Sequence, residues 1–224
     1  MTLYIDCSYG ASGDMLAGAL IDLGADFQVI KDKLKNIPEV SEISIGKVEK
    51  SGVSATKFNV KFNSNREEYV NLIRKVGELK LEPEVGAMAK KILENLAVAE
   101  SHAHGVRIGE VHLHEAADSI VDAVSFSIAF HELKRKFNFN NVCCGVISVG
   151  MLAPAAKYII ESGKIPIKKI SDAEITTPTG AAILSAVVDR FTGEEFVAGK
   201  KFTKSGYGAG SRDFDYPNVV GIFI

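Results

Sequence analysis

Apolar and polar positions along this chain follow two rhythms, and the switches between them mark its elements. "TLYID", residues 2–6, is a short apolar run bounded by a Gly/Ser-rich stretch, which predicts a buried strand. In "GDMLAGALIDLGA" the residues Met15, Leu16, Ala19, Leu20 and Leu23 recur at helical spacing, and the pattern stops at Gly24. A second helix is predicted over "DFQVIKDKLKN", capped by Asp26. From residue 42 to residue 62 the period drops to two on both sides of "KSGV", the pattern of a β-hairpin. Asn65 is placed to cap a helix ending near Gly77, and "EPEVGAMAKKILENLAVAESHA" predicts another with Pro83 in its first turn.

Beyond a His-rich stretch, a long helix is predicted over about 115–136, followed by one apolar strand, "NVCCGVISV". A short helix "APAAKYIIESG", an edge-like strand "KIPIKKI", a helix in "TPTGAAILSAVVDRF" and a last strand "NVVGIFI" complete the chain. "GYGAGSRD", residues 206–213, reads as a glycine-rich loop. Strands alternating with helices, plus one hairpin, predict an α/β fold: a mixed sheet flanked by helices. No charge run or Pro/Ser linker divides the chain, so residues 1–224 are read as one domain, with a sub-lobe at 42–101.

Composition mainly excludes. A net charge of −2 gives no support for a nucleic-acid surface. No apolar run reaches the roughly 18 residues needed to span a bilayer. "MTLYIDCSYG" lacks the basic start and apolar core of a signal peptide. The 3 cysteines, with Cys143 next to Cys144, do not form a disulfide framework, and a reducing cytoplasm is expected.

Three loops carry candidate chemistry. In "DCSYGASGDML" the chain leaves a strand at Asp6 and enters a helix near Gly13, whose free N–H groups attract anions. Gly10 and Gly13 allow close approach of a ligand, Ser8 and Ser12 offer hydroxyls, and Asp6 with Asp14 could hold a divalent cation against a phosphate. The same residues also serve as ordinary caps and turn formers, Ser12 above all. Thr176, Thr177, Thr179 and Gly180 form a similar helix start, and the 206–213 loop adds Gly208, Gly210, Arg212 and Asp213, where one guanidinium can clamp a phosphate or carboxylate. Neither a P-loop lysine nor dinucleotide glycine spacing is present.

Four of the 5 histidines fall in "HAHGVRIGEVHLHE". His102 and His104 sit at a helix end before Gly105, where the dipole alone would favour them. "VHLHE" reads as extended, which turns His112 and His114 to one side and Val111 and Leu113 to the other. Glu115, Asp118 and Asp122 follow along one side of the next helix, so His102, His104, His112, His114, Glu115 and Asp118 are the candidate metal ligands. Imidazole with carboxylate suits Ni²⁺, Zn²⁺, Co²⁺ or Fe²⁺. His131 and the Cys143–Cys144 pair read as core, whereas Cys7 beside Asp6 is a lesser metal candidate.

Taken in order, "DCSYGASGDML", "VHLHE", "DSIVD", "TTPTGAAIL", "GYGAGSRDF" and "PNVV" resemble the landmarks of the LarC family of nickel insertion proteins, over residues 3–224. The resemblance implies a cytoplasmic, CTP-dependent nickel chelatase, a metal-inserting lyase. Such a protein uses Mg or Mn with CTP and places Ni²⁺ in a pyridinium bis-thiocarboxylic acid mononucleotide, giving the nickel-pincer cofactor. It also implies a homo-oligomer and a second, C-terminal half that carries much of the nucleotide binding, as a separate chain or lost. Departures from the family pattern are the shortened "HEAADSI" and the stretch after "ISVG", of which only "APAAK" remains. On residues alone, a metal-dependent phosphohydrolase and a non-catalytic nickel-binding module stay open beside the chelatase.

Overall fold

A computed structural model describes residues 1–63, 67–113, 116–193, 196–197 and 200–224. In chain order these hold β1 (Thr2–Asp6), α1 (Gly13–Leu23), α2 (Phe27–Leu34), β2 (Val40–Lys50), β3 (Val53–Phe62), β4 (Glu67–Glu68), α3 (Tyr69–Glu78) and α4 (Pro83–His104). A single 3-10 turn at Ile108–Glu110 leads to β5 (His112–Leu113) and α5 (Ala116–Phe137). Then come β6 (Asn141–Cys144), β7 (Ile147–Val149), α6 (Pro154–Ser162), β8 (Ile167–Lys169), α7 (Pro178–Val187), β9 (Arg190–Phe191), β10 (Ser205–Ala209) and β11 (Val219–Phe223).

Seven strands form one mixed sheet in the order β2-β3-β10-β11-β1-β6-β9. β1 lies between β6, to which it is parallel, and β11, to which it is antiparallel. Along β1 the side chains alternate: Leu3 and Ile5 enter the main apolar core, whereas Tyr4 faces the other way and meets Phe202 and Phe223. α1 packs on β10, β3 and β11, α5 packs on α1, and α4 packs on α5 to build the helical side. The expected α/β fold, a mixed sheet flanked by helices, is what forms.

Local chemistry explains most boundaries. Gly24 ends α1 in the left-handed region, φ 114°, and its N–H reaches back to the last carbonyls of the helix. Asp26 accepts from the Gln28 N–H to open α2. The hairpin turns on Ser51 and Gly52, with φ of 46° and 84°, the two positive values a two-residue turn of this hand requires. α3 begins at Tyr69; its expected cap, Asn65, lies outside the described residues.

Two expectations are corrected. "NVCCGVISV" is not one strand: β6 belongs to the main sheet, and β7 leaves it to pair with β8. The 206–213 stretch is not wholly loop, because Ser205–Ala209 is β10, an inner strand of the main sheet. Apolar periodicity could not show it, since its glycines are the positions on which α1 rests.

His131 is buried on α5, with Nδ1 3.5 Å from Glu84 Oε2 and Nε2 without a partner among the described residues. Burial lowers its pKa below 6.5, although the Glu84 carboxylate opposes the shift. The unfolded chain therefore takes up a proton at a higher pH than the folded one, so this contribution to stability is intact above pH 6.5 and is lost as the pH falls below it. Thermal unfolding from pH 7.5 to 5.5 is expected to show a falling Tm that His131→Leu flattens; equal slopes in both proteins would contradict it.

Candidate functional site

The first loop does not act as one site; it divides. β1 ends at Asp6, whose Oδ1 accepts the Ser8 N–H at 2.9 Å and the Ser8 hydroxyl. Gly10 then turns the chain with φ 93°, and an added methyl there would lie 2.0 Å from the Ile175 carbonyl oxygen. That close approach zips two loops together: Ala11 N–H donates to Ile175 O at 2.9 Å, and Thr177 N–H to Ala11 O at 2.9 Å. The starts of α1 and α7 are thereby held side by side.

Both open on a cavity of about 410 Å³. Its walls include Ser12 and Asp14 from α1, Thr177 and Thr179 from α7, Asp118 and Asp122 from α5, Glu100 from α4, Lys57 from β3, and Ser211. Ser12 does not cap its helix. Its hydroxyl donates to Asp14 Oδ1, which also accepts the Met15 N–H at 2.9 Å. Thr177 is a true cap, accepting from the Gly180 N–H at 3.1 Å. Lys57, nearly buried, pairs with Asp14 Oδ2 and donates to Ser211 Oγ at 2.7 Å. The cavity thus gathers two helix starts, the Lys57 ammonium paired with Asp14, and the acids of α4 and α5, of which Asp122 lies against the start of α1.

The glycines called ligand contacts are filled by the chain itself. A methyl on Gly13 would lie 2.0 Å from Asp122 Oδ2, on Gly180 2.3 Å from Ala11 O, on Gly208 1.8 Å from Met15 O, and on Gly210 2.4 Å from Asn218 Nδ2. Each lets two segments touch. Asp122, only 4% exposed, consequently sits against the start of α1.

The remaining expected site residues scatter. Arg212 donates to Glu174 O at 2.9 Å and borders a neighbouring recess of about 150 Å³ together with Ser12, Asp14 and Thr177. Asp213 is exposed and pairs with Lys50 at 2.5 Å. Asp6 and Ser8 line a different cavity. His102 stacks on Tyr158, centroids 4.2 Å apart, and His104 Nε2 lies 3.3 Å from Glu100 Oε2. His112 is exposed in a shallow recess with Glu67, Glu68 and Asn71, whereas its neighbour Leu113 lines the main cavity. His114 and Glu115 lie outside the described residues. Among the described residues no three His, Cys, Asp or Glu side chains form a group able to hold a metal ion. Cys7 is no thiolate: the contact with Cys144 Sγ at 3.8 Å, full burial and the Asp6 charge all push its pKa up.

Lys57, Glu100 and Ser211 are among the cavity residues that escaped the sequence reading. Nothing in the local pattern singles out Lys57, one polar position among several in an alternating strand.

Comparison with known proteins follows from this geometry. A family model described as "nickel insertion protein" matches residues 3–224. A pyridinium-3,5-bisthiocarboxylic acid mononucleotide nickel insertion protein of Staphylococcus epidermidis is 35% identical over 236 residues, 97% of this chain and 58% of the relative. Proteins of the same name from Geobacillus kaustophilus and a Thermotoga species are 34% and 32% identical, covering 99% and 97% of this chain and 59% and 60% of theirs. The chain therefore spans about three fifths of the relatives it matches. No solved structure matches. Among the described residues no helix is long and apolar enough to cross a membrane.

Proposed function

Because this chain belongs to the nickel insertion protein family, we propose that it takes part in placing Ni²⁺ in a pyridinium bis-thiocarboxylic acid mononucleotide, as a nickel chelatase. The observation that carries the reading is the single cavity lined by the α1 and α7 starts, Lys57, Glu100, Asp118 and Asp122.

The chemistry follows from this lining. The substrate's phosphate and thiocarboxylates, or the phosphates of CTP with Mg or Mn, bind at the helix starts, where N–H groups, the Thr179 and Ser211 hydroxyls and the Lys57 ammonium converge. Nickel is the cargo, and the acidic wall attracts it. No described trio cages the ion, so the wall contributes one or two oxygens and the substrate's sulfurs contribute others. His114 and Glu115, which follow Leu113 in sequence, are the proposed protein ligands that complete the set. Sulfur binds late first-row metals more strongly than carboxylate does, so ligand exchange from oxygen to sulfur runs downhill. In this reading Arg212 serves a second phosphate from the adjoining recess, and Asp6, Asp213, His102 and His112 lie outside the inserting site. The relatives' remaining two fifths would supply further nucleotide binding and subunit contacts.

The test is to incubate substrate, nickel and CTP with the chain, alone and with the remainder of a relative, and to detect the nickel-bearing product by mass. Product in either mixture is expected. Its absence from both, or phosphate release from simple phosphoesters instead, would overturn the reading. Asp118→Asn is expected to weaken nickel binding at least about tenfold in titration calorimetry, the effect typical of disturbing a metal's surroundings. Unchanged affinity would remove α5 from the metal's path.

A further inference from the structure

The end of α4 carries Glu100, His102 and His104, and the helix sorts them. Residues four apart stand one above the other, whereas residues two apart point nearly opposite ways. His102 accordingly turns to Tyr158 of α6, with ring centroids 4.2 Å apart. His104 turns to Glu100, its Nε2 3.3 Å from Glu100 Oε2. The pairing that the sequence suggests, His102 with His104, thus gives way to Glu100 with His104. This pair straddles the rim of the 410 Å³ cavity. Glu100, its side chain 21% exposed, lines the wall with Asp118, while His104 stands outside that lining and is 57% exposed.

Imidazole nitrogen and carboxylate oxygen are donors that Ni²⁺ accepts. Bonds of about 2.1 Å, the length zinc shows to such donors, put two adjacent donors about 3.0 Å apart at a right angle, close to the spacing already present. We propose that Glu100 and His104 form a landing site for Ni²⁺ at the cavity mouth, which takes the ion from solvent and passes it inward to the Asp118 wall. The inference rests on the nickel reading above and adds the route by which the cargo enters. His104 binds through Nε2 as the neutral ring with its proton on Nδ1; a ring that starts charged releases one proton to solvent. Two protein donors leave the other positions to water, so the ion is held loosely. His104 then lets go while the Glu100 carboxylate, which reaches the cavity, keeps its hold.

The probe is Ni²⁺ alone. It is mixed with the full chain, and the ion still free is trapped by a chelating dye at increasing times; calorimetry gives the final affinity. His104→Ala is expected to slow nickel uptake about tenfold, because the ion is no longer concentrated beside the cavity, and to leave the final affinity within about twofold. His104→Lys keeps the ion pair with Glu100 but offers a protonated ammonium, and is expected to be as slow as His104→Ala. Glu100→Gln is expected to slow uptake as much, with the Glu100→Gln/His104→Ala double variant no slower, since the two act as one unit. His102→Ala is expected to load at the wild-type rate. Wild-type uptake by His104→Ala, recovery in His104→Lys, equal slowing by His102→Ala or additive slowing in the double variant would overturn the landing site while the nickel reading stands. A wild-type chain that takes up no nickel would overturn both.

Discussion

Lys57→Ala is expected to lower nickel insertion roughly a hundredfold or more, the loss that follows removal of one preorganised charge-stabilising donor. Lys57 is nearly buried between Asp14 and Ser211, at the mouth of two helix starts. Its loss leaves the Asp14 carboxylate facing the anion site unneutralised, so the site changes from one that attracts phosphate to one that repels it. Substrate affinity is expected to fall with the rate, while the nickel binding proposed for the α5 acids holds. Lys57→Arg is expected to recover only part of the activity, because a planar fork does not replace a point charge in this space. Insertion rates and separate titrations with substrate and nickel check this; a variant that loses nickel but keeps substrate would overturn the role given to Lys57.

Gly208→Val is expected to cost at least about 3 kcal/mol of stability, the upper range for overpacking. For a chain of this size that lowers Tm by about 6–12 °C. Even the first carbon would lie 1.8 Å from Met15 O and 2.5 Å from Ala19 N, so α1 must lift from β10, an inner strand. Gly46→Ala, which meets nothing within 4 Å, is the matched control and is expected to leave Tm nearly unchanged. Denaturation scans of both variants read the difference; a Gly208→Val protein melting with the wild type would mean that α1 does not bear on this strand.

These expectations mark what the chain's pattern reveals and what it hides. Periodicity locates α4 because it buries one apolar face, while α1 and α5, buried almost all round, show as long apolar runs and the hairpin shows as alternation about a turn. It misses β10, whose place depends on the absence of side chains at Gly206 and Gly208 rather than on their character. It cannot divide "NVCCGVISV", since the apolar pattern runs on through Gly145, where a methyl would stand 2.6 Å from the Tyr4 hydroxyl. The site follows the same logic. Helix starts at Ser12 and Thr177 are legible from caps and turns, and Asp118 and Asp122 from their stripe. Lys57 is not, because its role arises only where the middle of a distant strand meets α1. Asp6 and Asp14, eight positions apart, look like partners but line separate cavities, since the chain reverses between them at Gly10.

The paired hydrogen bonds between Ala11 and residues 175 and 177 have a mechanical consequence. A load applied at one helix start is carried straight to the other, so the phosphate grip proposed for them closes or loosens as a single jaw rather than as two independent fingers. Spacing between the α1 and α7 starts is therefore fixed before any guest arrives, and guests with a shorter or longer anion are sorted by fit instead of by adjustment.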